Sequence, residues 1–287
     1  MDSQDYIFKI NDLSRSFNNH RVLNVPTLNI PRGKLVIIIG SSGCGKSTLL
    51  ETLGLMVKPV LDPKKTNFES NANNISIVFT SSNDETIDYK DIWQNDGQGE
   101  LLRKTYFSFL FQEANLLPNM NVEENILLST IIQNGQINNI DWRNKYNKLL
   151  ENVGLSKEIA KKNPINLSGG QKQRVAFARS AMRSFEVLFA DEPTGNLDPV
   201  NARMVYDLIQ QNIKDDSNKT AIIVTHNLKL GLEYADLVIP LEYDGKCGIL
   251  NEENIFYNNN EYWSNATKEY SNNDDAFEDI RAIIQPK

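Results

Sequence analysis

Gly40-Ser41-Ser42-Gly43-Cys44-Gly45-Lys46-Ser47 has the glycine spacing, lysine and serine of a loop that wraps a polyphosphate. The glycines let backbone N–H groups turn inward around a β-phosphate. A helix starting near Lys46 adds partial positive charge at its N-terminus. Lys46 can reach the β- and γ-phosphates, and the Ser47 hydroxyl, followed by Thr48, suits Mg²⁺. Cys44 reads as a small loop filler, since a redox role would require an accessible thiolate. A second group of chemical interest is Asp191-Glu192, at the end of the apolar run Val187 to Ala190. A carboxylate there can hold Mg²⁺ through its water shell, which suits Asp191. Glu192 beside it can orient and polarise an attacking water as general base. Acid pairs at strand ends are common, so this pair gains meaning only from its order after the loop.

Such groups need rigid elements to hold them. Leu35 to Ile39 is a continuous β-branched run, suited to a strand buried on both faces, and residues 6–10 read as another strand. Asn11 to Asn19 is turn-rich, and Pro31-Arg32-Gly33 is a turn. A helix is predicted from Lys46 through Leu55. Further strands are predicted at Ile75–Thr80, Tyr106–Phe111, Val187–Ala190 and Ala221–Thr225. Apolar spacing predicts helices over Val122–Ile132, Trp142–Val153 (with Gly154 as its C-cap) and Gly170–Met182. Two more are predicted near 201–213 and 227–235. Residues 59–74 and 81–100 are polar and read as loops: a surface insertion on the plainer reading, a partner contact on the sharper one. The stretch after Tyr243 is Asn-rich, acidic and aromatic, either a small extra element or a frayed tail. The alternation predicts an α/β fold with a helical insert.

The chain has 287 residues, 40% of them hydrophobic and 23% charged, ordinary for a soluble globular protein. Its net charge of -7 argues against bulk binding to nucleic acid, which needs a basic face. Two cysteines, Cys44 and Cys247, make no disulfide framework and fit a reducing compartment. Met1 to Asp5 is polar and unlike a secretory signal. No apolar run approaches the length of a membrane span. Work at a membrane would therefore need a membrane-spanning partner.

Taken in order, the phosphate loop, Leu167-Ser168-Gly169-Gly170-Gln171, Leu188-Phe189-Ala190-Asp191-Glu192-Pro193 and His226 resemble the nucleotide-binding subunit of an ATP-binding cassette (ABC) transporter. The resemblance covers roughly residues 6–242. It implies a phosphate-loop NTPase core with a mixed sheet (about 1–112 and 184–242), an antiparallel β subdomain and an inserted helical subdomain (about 113–183). Residues 243–287 would be a C-terminal extension. It also implies an ATPase acting as a homodimer, with two ATP–Mg²⁺ sandwiched between the loop of one copy and Ser168, Gly169, Gly170 and Gln171 of the other. Ser168 to Gly170 would begin a helix, so its N-terminal charge applies again. Gln112 matches the glutamine that senses Mg²⁺ and water. His226 matches the histidine that contacts the γ-phosphate, and Asp198 the loop that crosses the dimer interface. Phe17 stands where the family stacks an aromatic ring on adenine; phenylalanine keeps the π-face.

Asp191-Glu192-Pro193-Thr194-Gly195-Asn196-Leu197-Asp198 is similar to the branch holding lipoprotein-release, macrolide-export and cell-division ATPases. That implies a transmembrane permease partner and a place on the inner face of the cell membrane. Leu116, Leu117, Pro118 and Met120 could line a groove for the partner, or simply pack within the helical region. The alternative is a soluble ABC ATPase acting on a protein or cofactor assembly. A binding-only regulator is disfavoured by intact Lys46, Asp191, Glu192 and His226.

Overall fold

Alternating burial marks the first two strands of the chain. The computed structural model describes residues 5–17, 20–57, 75–94, 96–135, 141–259 and 262–285. Strand β1 (Tyr6–Phe17) runs well past residue 10, where the composition predicts a turn. Phe8 and Ile10, then Leu13 and Arg15, point inward in steps of two, with a change of phase at Asp12 (φ +53°), where Asn11 and Asp12 both stay exposed; polar residues had disguised a strand. It pairs antiparallel with β2 (His20–Pro31), which the sequence reading missed. Leu23, Val25, Leu28 and Ile30 form the buried side of β2, and the ladder leaves out Pro26 opposite Asp12.

All six residues of β3 (Leu35–Gly40) are buried. Val36 and Ile38 enter one apolar core and Leu35, Ile37 and Ile39 the other, on opposite faces of the sheet. That is why the run has no polar alternation. Helix α1 (Lys46–Leu53) follows, and Gly54 ends it two residues early. The expected loop over 59–74 lies outside the described residues.

The polar stretch from 81 is not a loop throughout. After β4 (Ser76–Thr80) come β5 (Thr86–Asp88), α2 (Tyr89–Gln94) and α3 (Asp96–Tyr106), which takes Tyr106 from the expected strand. Tyr89, Ile92 and Leu102 are buried against the antiparallel strands. The Tyr89 hydroxyl donates to the Leu53 carbonyl, and Arg103 Nη1 donates to that of Leu55 at 2.7 Å. A few buried side chains and two anchors to the end of α1 suffice to order a mostly polar segment.

β6 (Phe107–Phe111) leads to α4 (Val122–Asn134), capped by a reciprocal Asn121–Glu124 box. Then come α5 (Asp141–Asn152), with Gly154 in the left-handed conformation just beyond it, and α6 (Gly169–Met182). β7 (Val187–Asp191), α7 (Pro199–Lys214), β8 (Thr220–Val224), α8 (Leu228–Tyr234) and β9 (Leu237–Tyr243) close the central layer. The sheet order is β5-β4-β1-β2-β10-β9-β3-β8-β7-β6, where β10 is Gly248–Ile249. Strands β9, β3, β8, β7 and β6 are mutually parallel. The outer four are antiparallel, and β10 joins the two groups. The fold is a mixed-sheet α/β type with an antiparallel subdomain and a helical insert.

Beyond Tyr243 the chain packs rather than frays. β11 (Phe256–Asn258), β12 (Trp263–Ser264) and β13 (Glu269–Tyr270) form an antiparallel ribbon on β9. Helix α9 (Asn273–Ile284) covers it. Phe256, Trp263, Tyr270, Ala276 and Ile280 join the same core as α6 and α7. No helix among the described residues is long and apolar enough to cross a membrane.

Candidate active site

The parallel strands β3, β7 and β8 end at one edge of the sheet, and the candidate residues gather beyond those ends. The loop from β3 turns tightly through Gly43 and Gly45, both in the left-handed region at φ +81° and +88°. Lys46 opens α1 almost buried, its Nζ donating to the Gly40 and Ser41 carbonyls at 2.9 Å each. Its ammonium is thus folded back over the loop and shielded from bulk water. Ser47 Oγ donates to Asp191 Oδ1 at 3.2 Å, joining the loop to the end of β7.

Glu192 leaves β7 with φ +49°, a strained value for a residue with a side chain, held by its N–H donating to the Val224 carbonyl at 2.9 Å. The turn aims the carboxylate back at the loop. Its Oε1 is buried, 2.9 Å from Nε2 of His226, without a well-aligned hydrogen bond. Burial pushes the Glu192 carboxyl up from its usual range; His226 and Lys46 oppose this, and Asp191 adds to it. His226 follows β8, where Thr225 Oγ accepts the N–H of Asn227 at 3.1 Å and fixes the turn.

A cleft of about 560 Å³ is lined by Ser42, Gly43, Gly45, Lys46, Ser47, Thr48, Gln112, Asp191, Glu192 and His226. Val22, Phe111, Glu113 and Asn115 also line it, residues for which no site role was expected. Gly40, Ser41 and Cys44 form the loop without facing the cleft. Cys44 is fully buried, and burial pushes its thiol up, which fits a filler. Gln112 directly follows β6, its Nε2 donating to Asn196 Oδ1 at 3.4 Å. With Glu192 and His226 it also borders a second cleft of about 780 Å³ beside Gly195 and Leu197.

Other expected residues stand apart. Ser168, Gly169, Gly170 and Gln171 do not line the first cleft. They start α6 in a capping box: Ser168 Oγ accepts the Gln171 N–H, and Gln171 Oε1 accepts the Ser168 N–H. Asp198 caps α7, accepting from the N–H groups of Val200 and Asn201 at 3.1 Å and from Asn201 Nδ2 at 2.6 Å. The Asn201 side chain lies directly against Gly170, so the cap of α7 and the start of α6 form one packed unit. Sequence reading had no signal for Asn201. Phe17 stands at the β1–β2 hairpin opposite His20, outside the lining of the cleft. Its ring carries the buried Arg15 guanidinium at 4.5 Å, which itself donates to Thr52 Oγ1 of α1 at 3.0 Å. Leu117 and Pro118 are exposed, whereas Leu116 packs against the core.

Ser47 and Asp191 offer oxygen donors 3.2 Å apart. Hard oxygens in that number match Mg²⁺, which keeps several waters and takes further ligands from substrate phosphates. Among the described residues no cluster of three or more His, Cys, Asp or Glu offers a cage made of protein alone.

A family profile described as "ABC transporter" matches residues 23–195. The chain is 38% identical over 210 residues to the lipoprotein-releasing system ATP-binding protein LolD of Rickettsia bellii, covering 73% of this chain and 82% of that one. It is 32% identical over 246 residues to the macrolide export ATP-binding/permease protein MacB of Vibrio parahaemolyticus, covering 84% of this chain and 34% of MacB. Its fold matches a solved dimeric structure of MJ0796, a bacterial ABC transporter cassette. There the TM-score is 0.66 at 28% identity, over 81% of this chain and 93% of that one.

Proposed function

The chain belongs to the ABC transporter family and is an ATPase of that family; from that premise we propose that two copies sandwich two ATP–Mg²⁺ and drive a transmembrane partner. The observation that carries this reading is the division of the site. Loop, Asp191, Glu192 and His226 share one cleft, while Ser168 and Gly169 at the start of α6 are exposed elsewhere on the same chain. A second copy can bring its Ser168–Gly170 over the cleft; the dimeric relative supports that arrangement.

In this reading Lys46 leaves the Gly40 and Ser41 carbonyls and moves onto the β- and γ-phosphates, exchanging neutral acceptors for charged ones. The loop N–H groups hold the β-phosphate. Ser47 and Asp191 hold the metal, which when bound neutralises charge on the phosphates. Glu192 polarises the attacking water as general base. His226, 2.9 Å away, orients that carboxylate and reaches the γ-phosphate. Gln112 reports occupancy of the site through its contact with Asn196. The partner's Ser168 and helix N-terminus stabilise charge on the γ-phosphate. Phe17, backed by Arg15, stacks on the base. Residues about 113–183 are the helical subdomain that swings as the dimer closes.

LolD- and MacB-like similarity supports a permease partner of the lipoprotein-release or export type, with this chain on the inner face of the membrane. The test is capture of tagged Glu192→Gln protein in mild detergent with ATP and Mg²⁺, read by mass spectrometry. A multi-span membrane protein is the expected partner. Recovery of soluble proteins alone would replace this reading with that of an assembly ATPase, leaving the ATP chemistry in place.

A further inference from the structure

The phosphate loop is supported from behind by a segment outside the span 23–195 that the family profile matches. Gly248, in β10, pairs with Leu23 of β2 and Tyr243 of β9. A Cβ placed on Gly248 would lie 1.7 Å from the carbonyl oxygen of Cys44 and 2.7 Å from its carbonyl carbon. These are backbone atoms, so no rotamer change relieves the contact. Only hydrogen fits there.

The loop is closely packed on its other sides as well. A Cβ on Gly45 would meet the Val22 carbonyl at 3.0 Å and Leu23 at 3.3 Å, and the Cys44 side chain is fully buried. Nor is β10 free to move away. Asp244 Oδ1 accepts the N–H groups of Lys246 and Cys247 at 2.8 Å each, and Gly245 turns the chain at φ +87°. Leu250 N–H donates to the Asn24 carbonyl at 3.0 Å just beyond. The backbone bonds hold the Asp244 carboxyl below its usual range, as a fixed turn requires.

We propose that Gly248 is a positioning residue for nucleotide binding: its missing side chain sets how deep Cys44-Gly45 seats, and so aligns the loop N–H groups and Lys46 with the polyphosphate. The proposal rests on the reading of Gly40–Ser47 as the phosphate site. It gives the strand after Tyr243 a part in ATP affinity although no atom of it faces the cleft.

In Gly248→Ala, the added methyl must gain at least about 1.3 Å to pass from 1.7 Å to the 3.0 Å below which real Cβ contacts do not occur. The turn and the ladder hold β10, so the loop moves. Misplacement of about 1 Å at a positioned site costs up to about 10²-fold. The experiment compares full-length wild type and Gly248→Ala by titration with a fluorescent ATP analogue, by steady-state ATPase and by N-ethylmaleimide labelling of Cys44 located by peptide mass spectrometry. The expected result is a rise of about 10-fold or more in Kd and KM, kcat at saturating ATP retained within a few fold, and faster labelling of Cys44 that ATP suppresses. Unchanged affinity and labelling would overturn the proposal. So would a parallel loss of kcat and affinity with a large fall in Tm, the mark of a general folding defect. If Gly248→Ala does not fold, Asp244→Ala, which frees β10 from its turn, is expected to shift Kd and Cys44 labelling in the same direction by a smaller factor; no shift overturns the proposal. Wild-type protein that binds no ATP would instead refute the reading of the site, and Cys44 labelling would still report where the loop sits.

Discussion

Replacing Gly170 by alanine tests the unit formed by the start of α6 and the cap of α7. The new Cβ would stand 2.5 Å from Asn201 Oδ1 and 2.7 Å from its Cγ, so the amide must swing away. That amide donates to Asp198 Oδ2 at 2.6 Å. A hydrogen bond to a charged acceptor is worth about 1.5–3 kcal/mol, and this one, exposed, sits at the low end, about 1.5. Against this, Gly→Ala in a helix gains about 0.5–1 kcal/mol from lost unfolded-state entropy. The net destabilisation is about 0.5–1 kcal/mol, which is roughly 1–4 °C in Tm for a chain of this size. The sign then reverses in an Asn201→Ala background. There the clash is gone and the bond already lost, so the same substitution stabilises by about 0.5–1 kcal/mol. The coupling energy is about 1–2 kcal/mol, readable by a double-mutant cycle in urea. On the proposed sandwich dimer, ATPase activity should fall far more than stability, because the displaced groups would lie on the face that closes over the second copy's nucleotide. A Tm loss above about 10 °C, or the same sign in both backgrounds, would refute the packing described for Gly170 and Asn201.

Further outcomes follow from the same geometry. Glu192→Gln should lower turnover by about 10²–10⁴-fold, the range for losing a general base, with ATP binding intact by fluorescence titration; unchanged turnover would remove Glu192 from the mechanism. Because burial raises the Glu192 carboxyl, the acid limb of the ATPase pH profile should fall at a higher pH than for an ordinary carboxylate near 4.3. Between that value and the raised one, the folded state binds more protons than the unfolded. The stability owed to this group therefore declines as pH rises through the window. Accordingly Glu192→Gln should raise Tm at neutral pH and lose that advantage below about pH 4, a comparison calorimetry can make. Ser168→Ala removes one half of the capping box on α6 and should cost about 0.5–2 kcal/mol in urea unfolding; a smaller loss would mean that Gln171 alone satisfies the helix end.

Local grammar carried a large part of the site. Gly40 to Ser47 needs only its own glycines and the helix behind it, and Asp191-Glu192 lies at the end of a run whose β-branched and apolar residues mark a buried strand. These groups are near in sequence to what positions them, so their chemistry is legible from spacing. The β1–β2 hairpin was harder to read because its inward residues alternate with Asn, Asp and Ser, which look like turn formers in a short window. The stretch 81–100 reads as a loop because its order comes from Tyr89, and from Arg103 just beyond it, reaching the end of α1, partners with no trace in the local pattern.

From its own residues the chain determined that a polyphosphate loop, a strand-end acid pair and a helix-start signature occur in one order on an α/β frame. Only the tertiary structure decided that Glu192 turns through a left-handed backbone to meet His226, that Asn201 occupies the space Gly170 leaves, and that Gly248 backs Cys44 across 204 positions of chain. Motif chemistry depends on backbone conformation over a few residues, which side-chain type encodes directly. Close approach between distant backbones depends on how whole strands stack, and that is set by the summed packing of two cores rather than by any residue near the contact.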